Sequence, residues 1–112
     1  WCGRLVAYHH RMRLRVLVTL LALLSAACTG QANPNASGAE LYSQFCARCH
    51  AADLSGGVGN ALGAGSDLVE KPDSYITDVI ANGRGSMPAF SRPLDEEQIE
   101  RVVDFIRSEQ GS

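Results

Sequence analysis

Residues 46–50 read Cys46-Ala47-Arg48-Cys49-His50, two thiols three positions apart with an imidazole directly after the second. The spacing has a geometric consequence. Two such thiols near a helix end can reach the two vinyl groups on adjacent edges of one porphyrin. The next residue then projects its imidazole over the ring face toward the iron. This is the attachment signature of haem c. Two rival chemistries use thiols in similar runs. A zinc site needs four ligands, and beyond residue 27 only Cys28 could join Cys46, Cys49 and His50, two of which are adjacent and strain one tetrahedron. A thioredoxin-like dithiol needs a strand before the motif, whereas a helix pattern leads in here. The residues favour haem, with zinc and dithiol chemistry as the alternatives.

Haem iron has two axial positions, and the second ligand decides what the group does. Beyond residue 27 the chain holds one His, His50, and one Met, Met87. Met87 lies in Gly83-Arg84-Gly85-Ser86-Met87-Pro88-Ala89-Phe90, a glycine-rich segment unsuited to helix or strand. A lone Met more often fills a gap in a core. Its loop setting, the following proline and the lack of another soft donor make it the expected sixth ligand, with the single lysine, Lys71, a distant substitute. The candidate site is therefore Cys46 and Cys49 for covalent attachment and His50 and Met87 for the metal. No catalytic residue is expected, because protein groups fill both axial positions.

Around the motif the pattern is helical, with no strand alternation and no internal repeat. Ser37 followed by Glu40 makes a capping box, and Leu41 and Phe45 then share a face. A helix is expected over residues 73–81, carrying Tyr75, Ile76, Val79 and Ile80 and closed by Asn82-Gly83. A last helix is expected after Asp95, a good N-cap, with Glu96 and Glu97 placed where the helix dipole favours acids. Ile99, Val102, Val103 and Ile106 follow at helical spacing, and Gly111 is the stop. Three short helices and two glycine-rich loops, 51–65 and 83–93, make a poor core for so small a domain. A large apolar cofactor inside would complete it.

The chain over about residues 37–110 resembles a small bacterial class I cytochrome c. The resemblance rests on Ser-Gly-Ala-Glu-Leu-Tyr (37–42) leading into the 46–50 motif, on Gly-Ser-Met-Pro-Ala-Phe (85–90), and on Val-Asp-Phe-Ile (103–106). It implies an all-α cytochrome c fold, three or more short helices wrapped around one covalent haem with an edge exposed. It further implies a close crossing of the first and last helices through Gly38 and Leu41 against Phe105 and Ile106, and a one-electron carrier rather than an enzyme. One departure stands out. Family members often have Gly-Pro before a Leu after the motif, the proline carbonyl accepting a bond from the axial His. Here Gly59-Asn60-Ala61-Leu62 takes that place, so Asn60 offers its own carbonyl on a less rigid loop. The alternative is a gas-binding or peroxidase-like haem protein with a labile Met87, which lacks a second His for its distal pocket.

The averages of the 112-residue chain, net charge −2 and 46% hydrophobic residues, conceal an uneven distribution. Residues 16–27 (VLVTLLALLSAA) carry no charge and follow Arg11, Arg13 and Arg15. Twelve apolar residues are too few for a membrane span, which needs about 20, and suit a secretory signal. The expected organisation is a doubtful upstream extension at 1–11, a signal peptide from Met12 at 12–27, a flexible tether at 28–36 and the cytochrome domain at 37–112. Ser25-Ala26-Ala27 fits cleavage before Cys28, which resembles a lipoprotein cysteine, although Ser25 replaces the usual aliphatic residue. A lipid on Cys28, soluble release and an uncleaved anchor all remain open. Either way the domain is expected outside the cytoplasm, in the periplasm or on the outer face of the cytoplasmic membrane. Beyond residue 27 the chain has six basic and twelve acidic residues, a net −6. That balance argues against nucleic acid and anionic lipid and for steering toward the basic docking face of a partner, with plain solubility as the alternative; the expected state is a monomer meeting transient redox partners.

Overall fold

In the computed structural model, which describes residues 30–111, the first helix begins at the expected cap. The Glu40 amide donates to Ser37 Oγ at 3.3 Å while the Ser37 amide donates to the Glu40 carboxylate at 2.7 Å. Helix α1 then runs Gly38–Phe45. Cys46 ends it and opens the single turn α2, Ala47–His50. A 3-10 turn at Asp67–Glu70 leads to α3, Asp73–Asn82, and the chain closes with α4, Glu96–Gln110. Among the described residues there is no strand, only an isolated bridge between Arg84 and Met87. The fold is all-α, as expected.

The helix ends follow local chemistry. α3 runs one residue past its expected end before Gly83, at φ 75°, caps it. α4 is capped by Asp95 as expected, and the cap is reciprocal. The Gln98 amide donates to Asp95 at 2.8 Å, and the Gln98 carboxamide oxygen accepts from the Asp95 amide at 2.9 Å. Gln98 thus completes a second capping box.

The core is the crossing of α1 and α4. At Gly38 the helices touch backbone to backbone, for a Cβ there would lie 2.0 Å from the Arg101 carbonyl oxygen and 2.9 Å from Phe105 Cβ. Leu41, Tyr42, Val102, Val103 and Ile106 are buried in the same cluster. The Tyr42 and Phe105 rings meet at 5.2 Å between centroids. Helix α3 adds Ile76 and Ile80 and packs on α4.

The tether expected over 28–36 is packed along its second half. Ala32 and Ala36 are buried, and the Ala32 amide donates to the Pro93 carbonyl at 3.1 Å. From α4, Gln98 donates to the Asn33 carbonyl at 3.1 Å and Arg101 to the Pro34 carbonyl at 2.9 Å. The small residues that read as a linker are what let this backbone lie close against the helix. The packed unit accordingly starts at Gln31 rather than at 37. The segments at 1–11 and 12–27, and Cys28, lie outside the described residues. Among the described residues no helix is long and apolar enough to cross a membrane.

Candidate functional site

A cleft of about 1200 Å³ runs between the 46–50 motif, the loop after it, α3 and the 83–93 loop. Cys46, Cys49, His50 and Met87 all line it, so the four expected site residues meet in one place. Its walls are largely apolar. Ile76, Ile80 and Ile106 belong both to the core and to the cleft lining, so the core has one open face.

The imidazole of His50 is held on two sides. It is buried, and its Nδ1 lies 2.7 Å from the Asn60 carbonyl oxygen. A carbonyl only accepts, so Nδ1 is the donor, which in the neutral ring leaves Nε2 with a free lone pair. The departure from proline at position 60 therefore leaves the expected bond in place. Gly59 supplies the second restraint. A Cβ there would sit 2.6 Å from His50 Cε1 and 2.8 Å from Nδ1, so only a glycine lets this loop lie flat on the ring. In the sequence Gly59 stands out only as part of the 59–62 run, and its contact with the His50 ring comes from the fold.

The backbone leaving the motif is equally tied. The Gly59 amide donates to the Cys49 carbonyl at 2.8 Å and the Gly56 amide to the His50 carbonyl at 3.0 Å. The Tyr42 hydroxyl donates to the Ala51 carbonyl at 2.7 Å. Burial pushes this phenol up to about 12, with the charges of Cys46 and Asp53 adding to the effect.

Cys46 is buried and Cys49 exposed, and neither is in a disulfide. Burial, then the neighbouring Cys49, pushes the Cys46 thiol up to about 11. Among the described residues no three His, Cys, Asp or Glu side chains are grouped to hold a metal ion. Helix α1, not a strand, leads into the motif. The dithiol reading requires a strand at that place.

Met87 is presented by a tight turn. The Arg84 and Met87 backbones exchange hydrogen bonds of 3.1 and 3.0 Å around Gly85, at φ 58°. The Phe90 amide ties the loop to the end of α3 through the Ile80 carbonyl at 2.9 Å. At the cleft wall Arg84 donates to the Tyr75 hydroxyl and lies over the same ring. Lys71 sits 6.0 Å from that ring's centroid. At the mouth Val58 is 87% exposed.

Comparison with known proteins agrees with this geometry. The family described as cytochrome c oxidase, cbb3-type, subunit III matches residues 33–106. The chain is 36% identical over 100 residues to the 4-cresol dehydrogenase [hydroxylating] cytochrome c subunit of Pseudomonas putida, covering 88% of this chain and 83% of that protein. It is 37% identical over 76 residues to cytochrome c6 of Aphanizomenon flos-aquae, covering 62% of this chain and 84% of the relative. Among solved structures it resembles the c-type cytochrome NirC, with a TM-score of 0.57 and 29% identity over 63% of this chain and 85% of that one. The cleft fits a haem c on its own terms: two thiols outside any disulfide, an imidazole with Nε2 free, and an apolar hollow that the protein's side chains leave open.

Proposed function

The chain belongs to the cytochrome c family, and from that premise we propose that it is a one-electron carrier whose iron is held by His50 and Met87. Bound haem c supplies the one-electron couple of its iron. Cys46 and Cys49 are the thioether anchors. His50 ligates through Nε2, while the Asn60 carbonyl at its Nδ1–H fixes the ring and raises the basicity of the donor nitrogen. Met87 would supply the iron's other protein donor, and a thioether there would favour the reduced state and raise the potential. With His50 and Met87 both bound, the iron would have no open position for a substrate. The observation that carries this reading is the meeting of Cys46, Cys49, His50 and Met87 in one cleft, with the His50 tautomer already set.

The partners are transient redox proteins, and the net −6 beyond residue 27 supports a basic docking face on them. A dehydrogenase is a suitable class of electron donor, as the name of the Pseudomonas relative suggests for that protein. The basic-then-apolar stretch at 11–27 supports export.

Met87→Ala tests the assignment. The reduced variant should keep its covalent haem and bind carbon monoxide, which the reduced parent should not. Equal binding by both proteins would overturn the carrier reading in favour of a gas binder with a labile Met87.

A further inference from the structure

The residue after the motif is in a conformation that its side chain does not favour. Ala51 has φ 62° and ψ 156°, a region that is essentially reserved for glycine and strained for any other residue. Such a conformation persists only where its surroundings over-determine it. Here the surroundings are one buried hydroxyl and two amides. The Tyr42 hydroxyl donates to the Ala51 carbonyl at 2.7 Å and lies 3.4 Å from the His50 carbonyl. The Leu54 amide reaches the Ala51 carbonyl at a longer 3.3 Å, and the Gly56 amide takes the His50 carbonyl at 3.0 Å. Tyr42 is the one side chain in this web among the described hydrogen bonds. Its own ring is fixed by burial against Phe105 on α4.

We propose that Tyr42 is a positioning residue for His50: its hydroxyl holds the strained Ala51 turn, and that turn holds the imidazole in line with the Asn60 carbonyl. The inference rests on His50 being an axial ligand, as proposed above. If Ala51 relaxed to a negative φ, the peptide joining it to His50 would rotate. The His50 carbonyl would leave Gly56, and the ring would turn away from its 2.7 Å bond to Asn60. A phenylalanine at position 42 would fill the same space and lack the donor.

The test uses the haem-loaded protein in four forms: parent, Tyr42→Phe, Ala51→Gly and the double variant. The readings are the reduction potential and the paramagnetically shifted resonances of His50 in the oxidised state. Weakening the bond at Nδ1 lowers the basicity of the ligand, so Tyr42→Phe should raise the potential. The expected rise is about a threefold change in the oxidised-to-reduced ratio, or about 28 mV at 59 mV per tenfold for one electron. In the Ala51→Gly background the same substitution should shift neither reading, because glycine adopts this conformation without strain. An unchanged potential in Tyr42→Phe, or equal shifts in both backgrounds, overturns the proposal and leaves Tyr42 as core packing. Should Tyr42→Phe fail to load haem, the double variant should restore loading, and its failure to do so would equally overturn the proposal. Failure of the underlying assignment would look different, since the reduced parent itself would then bind carbon monoxide.

Discussion

Gly38→Ala puts the helix crossing to a quantitative test. The new Cβ would lie 2.0 Å from the Arg101 carbonyl oxygen, 2.8 Å from its carbon and 2.9 Å from Phe105 Cβ. Two of these atoms are backbone in the middle of α4 and cannot swing aside. Ordinary contact begins near 3.4 Å, so α1 must retreat by about 1.4 Å along this line. Overpacking of that kind costs about 1–3 kcal/mol. A gap of even 0.5–1 Å forfeits roughly a quarter to a half of each dispersion contact along the seam. Against this, alanine gains at most about 1 kcal/mol over glycine in a helix interior, and less at Gly38, the first helical residue. The net loss should be about 2 kcal/mol, which lowers Tm by about 8–16 °C for a domain of this size. Thermal unfolding of the haem-loaded protein, followed by circular dichroism at 222 nm, measures it. A Tm within about 3 °C of the parent would mean that α1 and α4 do not meet backbone to backbone, and the argument for the crossing would fall.

Gly59→Ala should drive the His50 ring back by several tenths of an ångström, since the Cβ would lie 2.6–3.0 Å from three of its atoms; a parental reduction potential and absorption spectrum would contradict this. Replacing Cys46 and Cys49 together with alanine should leave little helical signal, because the cleft of about 1200 Å³ cuts into an already small core. A cooperative, native-like melt of the haem-free variant would be the opposite result. The Ser37 amide, then its hydroxyl, holds the Glu40 carboxyl below its ordinary value of 4.5. A depressed folded value means that the contribution of this cap is complete above the unfolded value and fades as pH falls through the folded one. Glu40→Gln, which keeps the hydrogen bond to the Ser37 amide, should therefore flatten the acid side of the Tm–pH curve, and parallel curves would refute the link.

What the sequence by itself determined is the chemistry that acts within a few residues. The run at 46–50, the Ser37–Glu40 box, the Asp95 cap, the Gly83 stop and the Met87-Pro88 pair are all readable, because thiol spacing, capping and turn formation depend on near neighbours. The helical periods of α3 and α4 also named their own buried faces, from Ile76 to Ile106. The tertiary structure decided where the irregular segments go. Nothing in residues 31–36 states that their carbonyls would be taken by Gln98 and Arg101, over 60 positions away. Arg107 reads as a cation at a helix end, yet it pairs with Asp73 at 2.7 Å and donates to the Leu68 and Lys71 carbonyls, holding one side of the cleft. The contact of Gly59 with His50 and the clamp of Tyr42 on Ala51 belong to the same class. A loop has no period, and its polar backbone must find partners wherever the packed helices leave them. For that reason the candidate residues of the cleft could be named from the chain, but the groups that hold them in place emerged only once the helices had packed.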